Sequence, residues 1–428
     1  LGHRLVPITH RTVNIEEKSF DQSQSPPQSR NTPSITCTTQ PPTIEIQLAC
    51  SSMGITNGGL TMDLAYSQEY EKYRAEVRQF LDANRDQSPP QFGRGNGESK
   101  ARDWQKLLIE NGYAARTIPK EYGGFGGEPD ILKSHIIAEE FANAGVRPGH
   151  SGDNRLVPTV LELGTEEQKQ WLVPPTVRGD MVWCQGYSEP GSGSDLASLS
   201  TKAIVDGDDF VINGQKIWTS GAQHADMIFC LVRTEPDAPK HQGISYLIFS
   251  MDTAGIEVRP LVTMTGEATF NEVFFTDVRV PKHQIIGNRG EGWFVANNTL
   301  KHEREGLGDP NQAENRFREI VDLMQRETID GNRLIDNPAY RDRLLSLQGR
   351  MLAMKFNGMR VLTSQIKEEE PGLPRWIIKL QGCELNHQMA AMAIDSMGEL
   401  GILYDDGPYL RDQGRWQQRY MLDLGLII

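Results

Sequence analysis

Basic residues are in short supply in this 428-residue chain: 44 Lys and Arg stand against 57 Asp and Glu, a formal net charge of −13. Neutralising phosphates takes an excess of cations, so general binding to nucleic acid or to an anionic membrane is excluded as a primary role. Long apolar runs are also missing, and the longest fall well short of a membrane-spanning helix. No basic-then-apolar signal peptide opens the chain. Cysteine is sparse: Cys37, Cys50, Cys184, Cys230 and Cys383 are odd in number, scattered and without a Cys-x-x-Cys pair. That pattern points to a reducing compartment and supplies no metal site. The nine histidines lack His-x-x-x-His spacing. The expectation is a cytoplasmic protein, or one of the mitochondrial matrix in a eukaryote, with no metal, membrane or nucleic-acid partner.

What is present divides the chain by texture. Its length allows two or three domains. Residues 1–61 are rich in Ser, Thr, Pro and Gln and have no sustained apolar period, so a disordered extension is expected there. Glu16, Glu17, Asp21 and Glu45 argue against an organelle transit peptide. Met53 or Met62 is the expected natural start. Residues 62–182 read as a helical domain, with Tyr70, Tyr73, Val77 and Phe80 at helical spacing and further stretches at Trp104–Ile109 and Ile131–Phe141. Thr165 is a candidate helix cap. Residues 183–290 switch to strand texture, with apolar runs at Met227–Val232, Ile244–Phe249 and Glu272–Val280. Residues 291–428 return to helical spacing through Leu344, Leu347, Met351 and Met354 and through Trp376, Leu380, Leu385 and Met389. Their methionines read as core filler.

One stretch stands out. Trp183-Cys184-Gln185-Gly186-Tyr187 leads into Ser188-Glu189-Pro190-Gly191-Ser192-Gly193-Ser194-Asp195. Small residues let a ligand approach the backbone, and their amides and hydroxyls can nest phosphate or carbonyl oxygens. The same composition also describes a plain surface loop. Asp206-Gly207 and Asn213-Gly214 then read as two hairpin turns that return Trp218 toward the glycine-rich segment. Trp218 is either ordinary core or a stacking face for a planar heterocycle.

That segment, followed by Gly214-Gln215-Lys216-Ile217-Trp218-Thr219-Ser220-Gly221-Ala222 and then by Glu272–Pro281, Gly287 and Gly290-Glu291-Gly292-Trp293, resembles the signature segments of the acyl-CoA dehydrogenase family in the family's order. The resemblance covers roughly Met62 to Ile428. It implies an α+β fold with an N-terminal helical domain, a central antiparallel β-domain and a C-terminal helical bundle, with FAD as cofactor. Ser188 matches the residue that hydrogen-bonds the flavin ring, with Gln185 and Tyr187 at neighbouring contact positions. Gly193 and Ser194 match the turn near the pyrophosphate and the acyl-CoA, and Trp218 matches the aromatic beside the flavin. Of Thr219 and Ser220, one is expected to reach the ring's N5 or O4. Tyr187 replaces the family's usual aliphatic residue. The family's inter-subunit FAD segment, Arg-x-x-Phe-Gly, gives way to a longer polar passage, Asn332 to Arg343.

The implied reaction is α,β-dehydrogenation of an acyl-CoA thioester to its enoyl-CoA, with electrons passed to an electron-transfer flavoprotein. A weakly acidic α C–H calls for a positioned carboxylate base. Glu303, in Leu300-Lys301-His302-Glu303-Arg304, matches the base position used by some members, and Arg304 matches a substrate-binding position. By residue type alone, that run reads equally as a solvated charged face. The sequence ends at Leu426-Ile427-Ile428, before the Gly-Thr-x-x-Ile segment where many members carry their base, so a truncated bundle is expected. An oxygen-using oxidase or monooxygenase-like relative, and a non-catalytic binding protein on the same fold, remain open, as does the acyl chain. A homo- or hetero-oligomer of related subunits is expected.

Overall fold

The computed structural model describes residues 66–89, 98–150, 152–153, 155–303, 310–404 and 407–427, with residues 98, 99, 303, 310 and 311 described in backbone only. The extension expected over residues 1–61 lies outside them. The first apolar periods form α1 (Gln68–Asn84), α2 (Glu98–Glu110) and α3 (Ile131–Ala144), which share a core of Val77, Leu81, Trp104, Leu108, Ile136 and Phe141. Two further helices follow, α4 (Leu156–Leu163) and α5 (Glu166–Arg178). Thr165 caps α5 in a full capping box with Gln168.

The strand region builds one eight-stranded sheet from β1 (Trp183–Gly186), β2 (Lys202–Asp206), β3 (Asp209–Lys216), β4 (Met227–Arg233), β5 (Ile244–Ser250), β6 (Ile256–Leu261), β7 (Phe270–Pro281) and β8 (Ile285–Ile286). The order is β6-β7-β3-β2-β4-β5-β8, with β1 beside β4. The β4 run is apolar throughout because both of its faces are buried. Met227, Phe229 and Leu231 meet Leu156, Val160, Leu172 and Val177 of α4 and α5, whereas Ile228, Cys230 and Val232 join a second core with Phe210, Ile212, Val273 and Phe275.

Two sequence expectations change here. The sheet is not wholly antiparallel: β1 runs parallel to β4, since the β2–β3 pair lies between them in sequence and no hairpin joins them. Asp206-Gly207 does turn, but Asn213-Gly214 lies inside β3, where the register against β7 slips. Glycine is needed there by close approach, because a Cβ on Gly214 would fall 2.5 Å from Thr201 Oγ1.

The remaining helices are α6 (Gly292–Glu303), α7 (Pro310–Arg326), α8 (Pro338–Ile366), α9 (Leu373–Ser396) and α10 (Arg415–Ile427), of which α7 to α10 share one core. The polar passage from Asn332 to Arg343 closes a small hairpin of β9 (Thr328–Ile329) and β10 (Asn332–Arg333), then starts α8, whose cap is Asn337 accepting from Ala339 N at 3.0 Å. Leu344, Leu347, Met351, Met354, Leu385 and Met389 are buried as their spacing predicts. Trp376 and Leu380 are not: they stand 58% and 50% exposed, because the first turns of α9 turn this face to solvent. A buried ion pair, Arg316 Nη1 to Asp423 Oδ2 at 2.5 Å, ties α10 to α7.

Candidate functional site

The glycine-rich segment is held by a charge it encloses. Glu189 is 6% exposed, and its carboxylate accepts from Lys216 Nζ at 2.8 Å, Thr201 N at 2.9 Å, Ser200 N at 2.6 Å and Ser200 Oγ at 2.9 Å. Lys216, fully buried at the end of β3, also donates to Tyr187 O at 3.1 Å. Glu189 and Ser192 exchange backbone hydrogen bonds at 3.0 Å, closing the turn, and Ile217 N donates to Ser188 O at 2.9 Å. The two signature segments are thus one unit, clamped by an ion pair with its hydrogen-bonding capacity filled. Burial pushes the Glu189 carboxyl up, but the Lys216 ammonium and the amide donors outweigh it and hold it at about 2.

Beyond Lys216 the strand bulges. Lys216 pairs with Val273, and Thr219 exchanges backbone hydrogen bonds with Asn271, so Ile217 and Trp218 together face Glu272 alone. Trp218 absorbs the extra residue with φ +59°, a left-handed conformation that a bulky side chain rarely adopts. Its ring is not core: it is 59% exposed and meets Phe270 edge-on, 5.8 Å between centroids. The alternative between Thr219 and Ser220 separates by burial. Thr219 is wholly buried, with its carbonyl also accepting from Asn271 Nδ2 at 2.9 Å and its hydroxyl without a hydrogen-bond partner, whereas Ser220 is exposed beside Trp218.

Ser188 is half-buried, and Gly193 and Ser194 are exposed. A Cβ at Gly191 or Gly193 would meet nothing within 4 Å, and neither has a left-handed φ, so the chain's own packing does not require glycine there. Tyr187, directly after β1, buries its ring against Phe229 and Tyr246, edge-on to both, while its carbonyl accepts from Lys216. The Gln185 side chain is engaged elsewhere, accepting from Arg155 Nη1 at 2.8 Å. The sequence reading missed Glu189 and Lys216 as a pair; the signal was a lone acid and a lone base inside otherwise small or apolar segments. Burial pushes the Cys184 and Cys230 thiols up, so neither serves as a thiolate nucleophile at neutral pH.

Helix α6 approaches from the helix-packed side of the sheet. Thr299 Oγ1 lies 3.3 Å from Tyr246 OH, and the Tyr246 ring in turn packs edge-on against that of Tyr187, 6.3 Å between centroids. Glu303 ends α6 one turn beyond Thr299, about 6 Å along the axis. Its side chain, and Arg304 entirely, lie outside the described residues.

With this geometry in hand, comparison with known proteins is decisive. The chain matches the acyl-CoA dehydrogenase N-terminal domain over residues 67–180, the middle domain over 184–278 and the C-terminal domain over 290–424. It is 35% identical over 367 residues to the acyl-CoA dehydrogenase IpdE1 of Mycobacterium tuberculosis, covering 83% of this chain and 91% of that one. The chain belongs to the acyl-CoA dehydrogenase family. Among solved structures it is similar to the ChsE4-ChsE5 complex from M. tuberculosis (TM-score 0.70, 31% identity, 85% of this chain and 94% of that one). It is also similar to the "Tcur3481-Tcur3483 steroid ACAD" structure (TM-score 0.71, 30% identity, 85% and 94%). The enzyme is a flavin-dependent oxidoreductase acting on CH–CH bonds, and the family's α+β fold is the one observed.

The residues present suit a flavin. An exposed, strained Trp218, the hydroxyls of Ser188 and Ser220, and open glycines at 191 and 193 share the two clamped segments. A strained residue left exposed costs stability without a return in packing, which marks a place shaped for a ligand.

Replacing Lys216 with Met leaves the Glu189 carboxylate buried and uncompensated. Urea unfolding of the apoprotein should show a loss of about 3–5 kcal/mol. Because the folded Glu189 carboxyl sits at about 2 against an ordinary 4.5, its stabilisation is complete above the higher value and lost as pH falls through the lower one. Glu189→Gln should remove that acid-limb dependence from the stability profile. At Trp218 the outcome depends on backbone preference. Trp218→Gly should leave apoprotein stability within about 1 kcal/mol, while Trp218→Val, β-branched at a left-handed φ, should lose about 1–2 kcal/mol more; thermal unfolding of the two variants checks this.

Proposed function

We propose that this chain binds FAD along the two clamped segments and uses it to dehydrogenate an acyl-CoA thioester at the α,β position. The observation that carries this reading is the exposed, left-handed Trp218 beside Ser220, in a segment clamped to the Ser188 turn, within a chain whose relatives are acyl-CoA dehydrogenases. Trp218 offers a stacking face, and the Ser188 and Ser220 hydroxyls hydrogen-bond the ring edge. Of the pair expected to reach N5 or O4, Ser220 is the member whose hydroxyl faces outward. The amides of residues 191–194, with Ser194, receive pyrophosphate and thioester oxygens. Glu303 would take the α-proton, and bound FAD would supply the two-electron acceptor for the β-hydride, so that the substrate gains a Cα=Cβ bond. Arg304 stands at the adjoining substrate-binding position.

The name of one structural neighbour contains "steroid ACAD", which makes a bulky, steroid-type acyl group the first substrate to try. Electron-transfer flavoprotein is the acceptor of this reading. Partner subunits are also part of it: Trp376, Ile377 and Leu380, at helical spacing on α9, are exposed apolar side chains suited to a related subunit, and a neighbouring structure is itself described as a complex.

The test is anaerobic mixing of the FAD-loaded enzyme with steroid and straight-chain acyl-CoA thioesters, followed by flavin absorbance. A matching thioester should bleach the flavin, and Glu303→Gln should slow bleaching by about 10²–10⁴-fold while FAD stays bound. Bleaching by no thioester, or peroxide as the main product in air, overturns the reading.

A further inference from the structure

We propose that Glu162 is a positioning residue for the base, holding the last turn of α6 so that Glu303 meets the α C–H. This inference rests on the reading of Glu303 as base. Glu162 sits on α4 and reaches across to two residues of α6 four apart. Its Oε2 accepts from Asn298 Nδ2, and its Oε1 lies 3.5 Å from His302 Nε2. Residues at that spacing share one helix face, so a single carboxylate spans a full turn. One turn earlier on α4, Thr159 Oγ1 lies 3.0 Å from Thr299 Oγ1 and 3.3 Å from Asn298 Oδ1. Thr299 continues to Tyr246, whose ring packs edge-on against Tyr187, the residue that follows β1 and precedes Ser188.

The two contacts do different work. The hydroxyl line from Tyr246 through Thr299 to Thr159 is buried and fixes α6 against the sheet. Glu303 comes four residues beyond Thr299, in the final turn, whose carbonyls lack helical partners. Leu300 of that turn packs against the core that α4 helps to form, and the Glu162 contact to His302 adds a polar hold from α4 on the same turn. The Glu162 side chain is 47% exposed and His302 17%, so water screens the pair and it adds little to global stability. Its consequence is orientation. A base misplaced by about 1 Å can lose about 10²-fold in rate.

The experiment compares wild type, Glu162→Ala, Glu162→Gln, Asn298→Ala and Glu303→Gln as FAD-loaded proteins. Anaerobic stopped-flow reduction by the bleaching thioester is read with hydrogen exchange of the 299–303 amides and thermal unfolding. Glu162→Ala is expected to slow reduction about 10- to 100-fold, at unchanged thioester affinity, FAD content and melting temperature, with faster exchange in the last turn of α6. Asn298→Ala should reproduce part of the loss. Glu162→Gln should recover most of the rate, since its carbonyl oxygen still accepts from Asn298 while its amide NH2 can donate to the Nε2 of a neutral His302. A wild-type rate in Glu162→Ala beside an inactive Glu303→Gln overturns the positioning role and leaves the base in place. A wild-type rate in Glu303→Gln overturns the base and this role with it. Slowing that parallels loss of FAD or of melting temperature also overturns it, because Glu162 is then structural.

Discussion

The buried ion pair between Lys216 and Glu189 is the contact on which the rest of the site depends. Each partner comes from a different signature segment, and each is buried where an unpaired charge would be intolerable. Neither segment can therefore leave the other without stranding a charge. Lys216 also donates to Tyr187 O, so the strand leading into the glycine-rich turn and the strand leading to Trp218 are set at a fixed spacing before any ligand arrives. Charge inside a small loop is costly, and here it is what makes a glycine-rich loop hold one shape.

That fixed spacing lets the sheet serve two purposes. On one face, Phe229, Tyr246 and Tyr187 pack against α4, α5 and α6, which sets α6 against the side of the sheet from which β1 leads into Ser188. On the other, Phe210, Ile212, Val273 and Phe275 support the bulge that pushes Trp218 out. The strain at Trp218 persists because Thr219 beyond it is pinned to Asn271 by three hydrogen bonds, two from backbone and one from the Asn271 amide.

Much of this was legible in the sequence, and the failures have physical reasons. Helical periods located α1, α2, α3 and α8, and Thr165 was a readable cap because capping is local chemistry. Asn213-Gly214 misled because a glycine demanded by a neighbouring strand looks the same in sequence as a glycine demanded by a turn. The burial of the Tyr187 ring was not legible either, since a motif position does not say which way a side chain turns once its strand has ended. The choice between Thr219 and Ser220 was undecidable from sequence, since it turns on one bulge. Trp376 and Leu380 followed a helical period that a core stripe and an exposed apolar stripe share.

The central claim is that the ion pair builds the flavin-binding segments in advance. Crystal structures of the same protein with and without FAD test it most directly, by the displacement of the backbone over residues 186–193 and 216–221. The account predicts shifts below about 1 Å, as in preorganised sites, with Lys216 and Glu189 paired and Trp218 left-handed in both. A segment that rearranges on binding, or a Lys216–Glu189 pair that forms only with FAD present, would contradict it.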